Sequence, residues 1–101
     1  MKLVIVTVVD EYQNDIFKIF KEANIDAYSE VDIEGYKTTK SLQVASNWFA
    51  SERSSSDSEM FFSFIEDEKI DKLFDLIEEF NSTLETNTPV HAVLVPIERY
   101  I

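Results

Sequence analysis

The chain contains no cysteine, one glycine, two prolines and one histidine. Without cysteine there are no disulfides, no thiolate nucleophile and no cysteine-based zinc site. A single glycine leaves no material for the glycine-rich loops that bring backbone amides up to phosphates. Basic residues are also scarce, at 9 against 20 acidic, for a net charge of −11. Such a surface repels phosphate backbones and anionic lipid headgroups, which argues against nucleic acid as a partner. No apolar run approaches bilayer-spanning length, so direct membrane insertion is not expected. Residue 1 leads straight into a short strand pattern with no charged region and apolar leader, and a cytoplasmic protein is expected.

Hydrophobic residues make up 45% of the 101 residues, enough for one folded domain spanning residues 1–101 and too much for a disordered chain. Residues 2–9 (KLVIVTVV) form a β-branched apolar run of strand length. Asp10 and Gln13 then stand at the spacing of reciprocal helix caps, and Tyr12, Ile16, Phe17, Ile19, Phe20 and Ala23 recur at helical intervals. Ala23 and Asn24 end that helix, and residues 25–36 alternate loosely as a second strand closed by Gly35. Residues 59–65 (EMFFSFI) read as a third strand. A second helix starts at Asp67 or Glu68, carries Ile70, Leu73, Phe74, Ile77 and Phe80 on one side, and breaks at Asn81, Ser82 and Thr83. Residues 90–97 supply the last strand, which Pro96 confines to a sheet edge or a bulge.

Two strand–helix–strand units predict a ferredoxin-like α+β fold of βαββαβ order: a four-stranded antiparallel sheet with both helices on one face. The first and last strands are apolar on both sides, however. Leu3, Ile5 and Val9 compete with Val4, Val6 and Val8 for the single covered face. An exposed apolar sheet face is a liability for a soluble monomer, so an oligomer burying that face is expected.

Between strands 2 and 3 lies a long polar stretch, residues 37–58. Irregular segments of that length in a small domain are usually functional or disordered. A short helical turn at 44–51 is compatible with its sequence. It holds Lys37, Lys40 and Arg53 but only Glu52 and Asp57, and is net +1 while the rest of the chain carries −12. Such a segment could dock into an acidic cleft of its own assembly or hold an anionic effector; a solvated surface is the plainer account. Trp48 and Phe49 stand isolated within it, either as anchors for a protein partner or as packing against a neighbouring subunit.

Residues 23–40 (ANIDAYSEVDIEGYKTTK) resemble the helix end, second strand and loop base of the nitrogen-regulatory PII family and its PII-like relatives, with the pair Gly35-Tyr36 opening the long loop. The resemblance extends over the whole chain in element order. It implies a homotrimer whose open sheet faces line a central barrel, and a signalling role in which a small effector binds between subunits. On that reading Gly35, Tyr36, Lys37 and Thr38 form the effector-binding loop base, while Lys40, Trp48, Phe49 and Arg53 face a partner protein. The chain departs from the family's nucleotide binders at residues 81–89 (NSTLETNTP), which lack the glycines and lysines that wrap phosphates. No cofactor is expected, and the effector is left unnamed.

The runner-up is a divalent-metal-responsive or metal-tolerance protein of the same fold, with ligands from His91 and carboxylates. A lone histidine without cysteine is a poor basis for a transition-metal site, so His91 is a weak candidate. The acidic helix faces lack calcium-loop spacing. An enzyme is not expected: there is no Gly-x-Ser-x-Gly, no phosphate-binding Walker sequence and no distinguished acid–base pair. A dimeric ferredoxin-like enzyme would need inward polar groups, and only Thr7 and Ser63 offer themselves. Aromatics in MFFSF could stack bases as RNA-binding sheets do, but flanking basic residues are missing.

Overall fold

The computed structural model describes residues 1–36, 55–85 and 88–101, without the side chains of 55 and 56. Strand β1 (Lys2–Val9) is followed by a 3-10 turn (Asp10–Tyr12), helix α1 (Gln13–Glu22) and β2 (Ser29–Tyr36). Then come β3 (Ser55–Ile65), α2 (Asp67–Ser82) and β4 (His91–Val95). The strands form one sheet in the order β2-β3-β1-β4, every neighbouring pair antiparallel. The ferredoxin-like arrangement read from the sequence is therefore present, and β4 occupies an edge and stops one residue before Pro96.

Register decides which apolar set each helix covers. Val4, Val6 and Val8 lie opposite Ser63, Phe61 and Glu59 of β3, and these valines are buried in one cluster with Ile16, Ile19 and Phe20 of α1 and Ile70, Leu73 and Ile77 of α2. Phe17, Phe20, Tyr28 and Phe61 meet edge to face or tilted, with centroids 4.6–6.3 Å apart. Such contacts add to the area they bury.

The other face carries Leu3, Ile5, Met60, Phe62, Phe64, Val31, Val93 and Val95, aligned by the same ladders. Leu3, Ile5, Met60, Phe62 and Val93 are half-buried, while Val31, Phe64 and Val95 are exposed. Thr7 also belongs to this face, opposite Met60 and His91, and does not point inward among the helices. Ser63 does point inward, and its hydroxyl donates to the Ala27 carbonyl at 2.6 Å.

Helix ends follow local chemistry. Asn24 takes φ 61°, which asparagine tolerates better than most residues. With it in place Ile25 N–H donates to Phe20 O and Asn24 N–H to Lys21 O, satisfying the last carbonyls of α1. Lys69 Nζ donates to Asn24 O at 2.9 Å, so α2 secures the end of α1. The reciprocal cap expected between Asp10 and Gln13 is absent, for neither side chain caps the helix start. The Gln13 amide instead donates to a Glu30 carboxylate oxygen on β2, and Asp10 turns toward Glu59.

Three strands differ in their bounds from the sequence reading: the last is His91–Val95, not 90–97, ending before Pro96, which cannot donate to a ladder. β2 begins at Ser29, because residues 25–28 serve as a connection pinned by Ser63. β3 begins at Ser55, since serines 55, 56 and 58 can pair through the backbone with Tyr36, Gly35 and Ile33 without apolar side chains. The long connection is thus shorter than expected at its far end.

Candidate functional site

At the β2–β3 end of the sheet, the helix-side face changes character. Beneath the helices it is valine and phenylalanine; past the start of α1 it becomes acidic. Asp32 lies opposite Glu59, and Glu34 opposite Asp57, so strand pairing alone brings four carboxylates onto one face. Asp10 joins them from the 3-10 turn, which packs against β3. Together with Ile33, Ser58 and Tyr36 these residues line a cleft of about 510 Å³.

Glu59 is the unusual member. It sits on a central strand between Val8 and Asp32 and is only 5% exposed. Its Oε1 is buried and no donor reaches it among the described residues. Burial pushes its carboxyl up to about 8, helped by a hydrogen bond with the Asp10 carboxyl and by the charges of Asp10, Asp32 and Glu30. Two carboxyl groups can share a hydrogen bond only if one holds a proton. Near neutral pH the pair therefore holds a proton that an exposed glutamate would have released.

Of the residues expected at the loop base, Gly35 and Tyr36 close β2. Gly35 is buried with ordinary negative φ, so its backbone does not require glycine; it lies on the open face opposite Ser56. Tyr36 is exposed on the cleft side, and its hydroxyl donates to Glu34 Oε1 at 2.8 Å. That hydrogen bond, then the glutamate's charge, raises the phenol's pKa above its usual value. Lys37, Thr38, Lys40, Trp48, Phe49 and Arg53 lie outside the described residues, as does the helical turn expected at 44–51. His91 opens β4 on the open face, opposite Thr7 and half-buried, far in the topology from the acidic strand β2. Among the described residues no three histidine, cysteine or acidic side chains are placed to hold a metal ion together. The metal-responsive reading gains no support from this arrangement.

Sequence reasoning missed Glu59. Counting by twos back from Ile65 and Phe61 would have placed it on the covered face, where a carboxylate is out of place.

No protein-family model matches the chain, and no curated protein matches it in sequence. Solved structures do. CPII, a nitrogen regulatory PII-like protein from Thiomonas intermedia K12 bound to ADP, AMP and bicarbonate, superposes with TM-score 0.62 over 99% of this chain and 94% of its own, at 12% identity. The fold is PII-like. A DUF3240 family protein from Shewanella baltica OS155 superposes with TM-score 0.67 over 98% of this chain and 91% of its own, at 13% identity. At such identities the likeness establishes the PII-like architecture and leaves the ligand to this chain's own residues. No described helix is long and apolar enough to cross a membrane.

Proposed function

We propose that the protein is a PII-like trimeric regulator in the cytoplasm and not an enzyme. It binds a small effector in the cleft between subunits at the base of the 37–54 connection, and that connection contacts a protein partner. The observation that carries this reading is the second apolar sheet face. Leu3, Ile5, Met60, Phe62 and Val93 form a contiguous apolar surface on the side opposite the helices. A patch of this kind marks an interaction surface, and a second and third copy of the same face would cover it.

Position supports the effector site. The acidic cleft opens where β2 gives way to the long connection, with Tyr36 at its rim. Occupancy there could alter how residues 37–54 leave the sheet, which is how a bound small molecule becomes a signal to a partner. The partner-facing residues on this reading are Lys40, Trp48, Phe49 and Arg53, with Lys37 and Thr38 beside the effector.

Light scattering on the purified protein tests the assembly. A mass of three chains at micromolar concentration is expected, and a clean monomer would refute the reading.

A further inference from the structure

We propose that the acidic cleft binds a small organic polycation, whose ammonium or guanidinium group sits on Glu59 and Asp10. The inference deepens the preceding reading by giving the effector a charge, and rests on it only for the location at the loop base.

The strongest sign is the state of Glu59. Glu59 is 5% exposed and its buried Oε1 has no donor among the described residues; such an acceptor is costly, on the order of 1–3 kcal/mol, and is relieved when a ligand brings an N–H group to it. The remaining lining points to the same class of molecule. Asp10, Asp32, Glu34 and Asp57 line the same cleft as Glu59, and no basic side chain lines it among the described residues. A neutral or anionic ligand would leave these carboxylates uncompensated.

Size and geometry separate an organic cation from a metal ion. The cleft measures about 510 Å³, within the range of roughly 300–1,000 Å³ found for small-molecule sites and far larger than a bare ion needs. Its carboxylates are spread along two strands and a turn and do not converge as a ligand set. A chain of methylenes with amines at intervals matches that spread. Tyr36 at the rim offers the aromatic surface such a chain requires, and a cation over its ring gains further attraction.

Binding then displaces the proton held between Glu59 and Asp10. The described groups facing Glu59 are Asp10 from the turn and Asp32 and Glu30 from β2, all acidic, so none of them opposes a cation. Affinity accordingly rises with pH up to about 8 and then levels off.

Spermidine and putrescine are the probes, read by calorimetry and thermal shift in moderate salt, with magnesium chloride at matched charge as control. Glu59→Gln and Asp75→Asn remove the same formal charge, the first in the cleft and the second on an exposed face of α2. Spermidine should bind wild type and D75N alike, with E59Q weaker by about tenfold or more. Asp10→Asn should weaken binding in the same direction, which keeps the test alive should E59Q fail to fold. Equal binding by E59Q and D75N overturns the proposal, because attraction is then diffuse. So does magnesium as effective as spermidine, or no response at millimolar amine. Light scattering on the same samples separates the two readings: a trimer indifferent to amines sinks this inference alone, whereas a monomer that binds spermidine through Glu59 sinks only the trimer.

Discussion

The side-chain amide of Asn81 clasps Val90 from both sides: Nδ2 donates to the Val90 carbonyl at 2.9 Å, and Val90 N–H donates to Oδ1 at 2.8 Å. A residue in the last turn of α2 thus fixes the approach to β4, imitating the pairing of a neighbouring strand. Val90 itself is buried in the core, so its backbone groups have little access to water.

Asn81→Ala should therefore lower stability by about 1–3 kcal/mol, measured by urea unfolding with an unchanged denaturant slope. Asn81→Asp should recover only part of the loss, because it keeps the acceptor for Val90 N–H and sets a carboxylate against the Val90 carbonyl. Equal stability of N81A and wild type would show that the clasp is dispensable.

Stability should fall with rising pH through a window set by Glu59. Its native value is about 8 against an ordinary 4.5, so the folded state holds a proton that the unfolded chain releases. The stabilisation from this group is complete below about 4.5, declines as pH rises, and is gone above about 8. A loss on the order of a few kcal/mol across the window is expected. Glu59→Gln should flatten the profile in that window and raise the melting temperature at pH 8. A profile identical to wild type would show that Glu59 titrates like an exposed glutamate.

Phe62→Asp should break the proposed trimer and leave the chain folded, because Phe62 lies on the face away from the helices. The expected result is a single-chain mass in light scattering with wild-type circular dichroism. Phe61, its sequence neighbour, is fully buried beneath α1, and Phe61→Ala should cost about 3–5 kcal/mol in folding stability. The contrast between adjacent positions checks the register as well as the interface.

Thr7→Val should be neutral or stabilising by up to about 1 kcal/mol. Thr7 is 5% exposed and its Oγ1 has no partner among the described residues, on the open face between Met60 and His91. A clear drop in the urea midpoint would mean that the hydroxyl finds a donor or acceptor in the assembled protein.

Much of the fold was legible because the apolar periodicities are strong. Ile16, Ile19 and Phe20, and later Ile70, Leu73 and Ile77, announce their helices and the faces these bury. The surplus of apolar residues on β1 likewise foretold a sheet greasy on both sides. Less legible were features that depend on pairing across distant strands. Asp32 and Glu59 stand far apart in sequence and meet only through register, so the acidic cleft had no local signature. Thr7 was assigned to the wrong side because alternation in β1 could be phased either way until β3 and β4 fixed it. Asp10 and Gln13 had the spacing of a cap, yet tertiary partners on β2 and β3 took both side chains. The serines before Met60 looked like loop because backbone pairing leaves no trace in side-chain polarity.

One edge of the sheet is β2, whose outer backbone groups have no strand beside them among the described residues. Open rims of this kind invite stacking into fibrils. Here alternate positions along the rim are Glu30, Asp32 and Glu34, so two such rims meeting side by side would confront like charge with like charge. The arrangement acts as a guard against endless sheet growth.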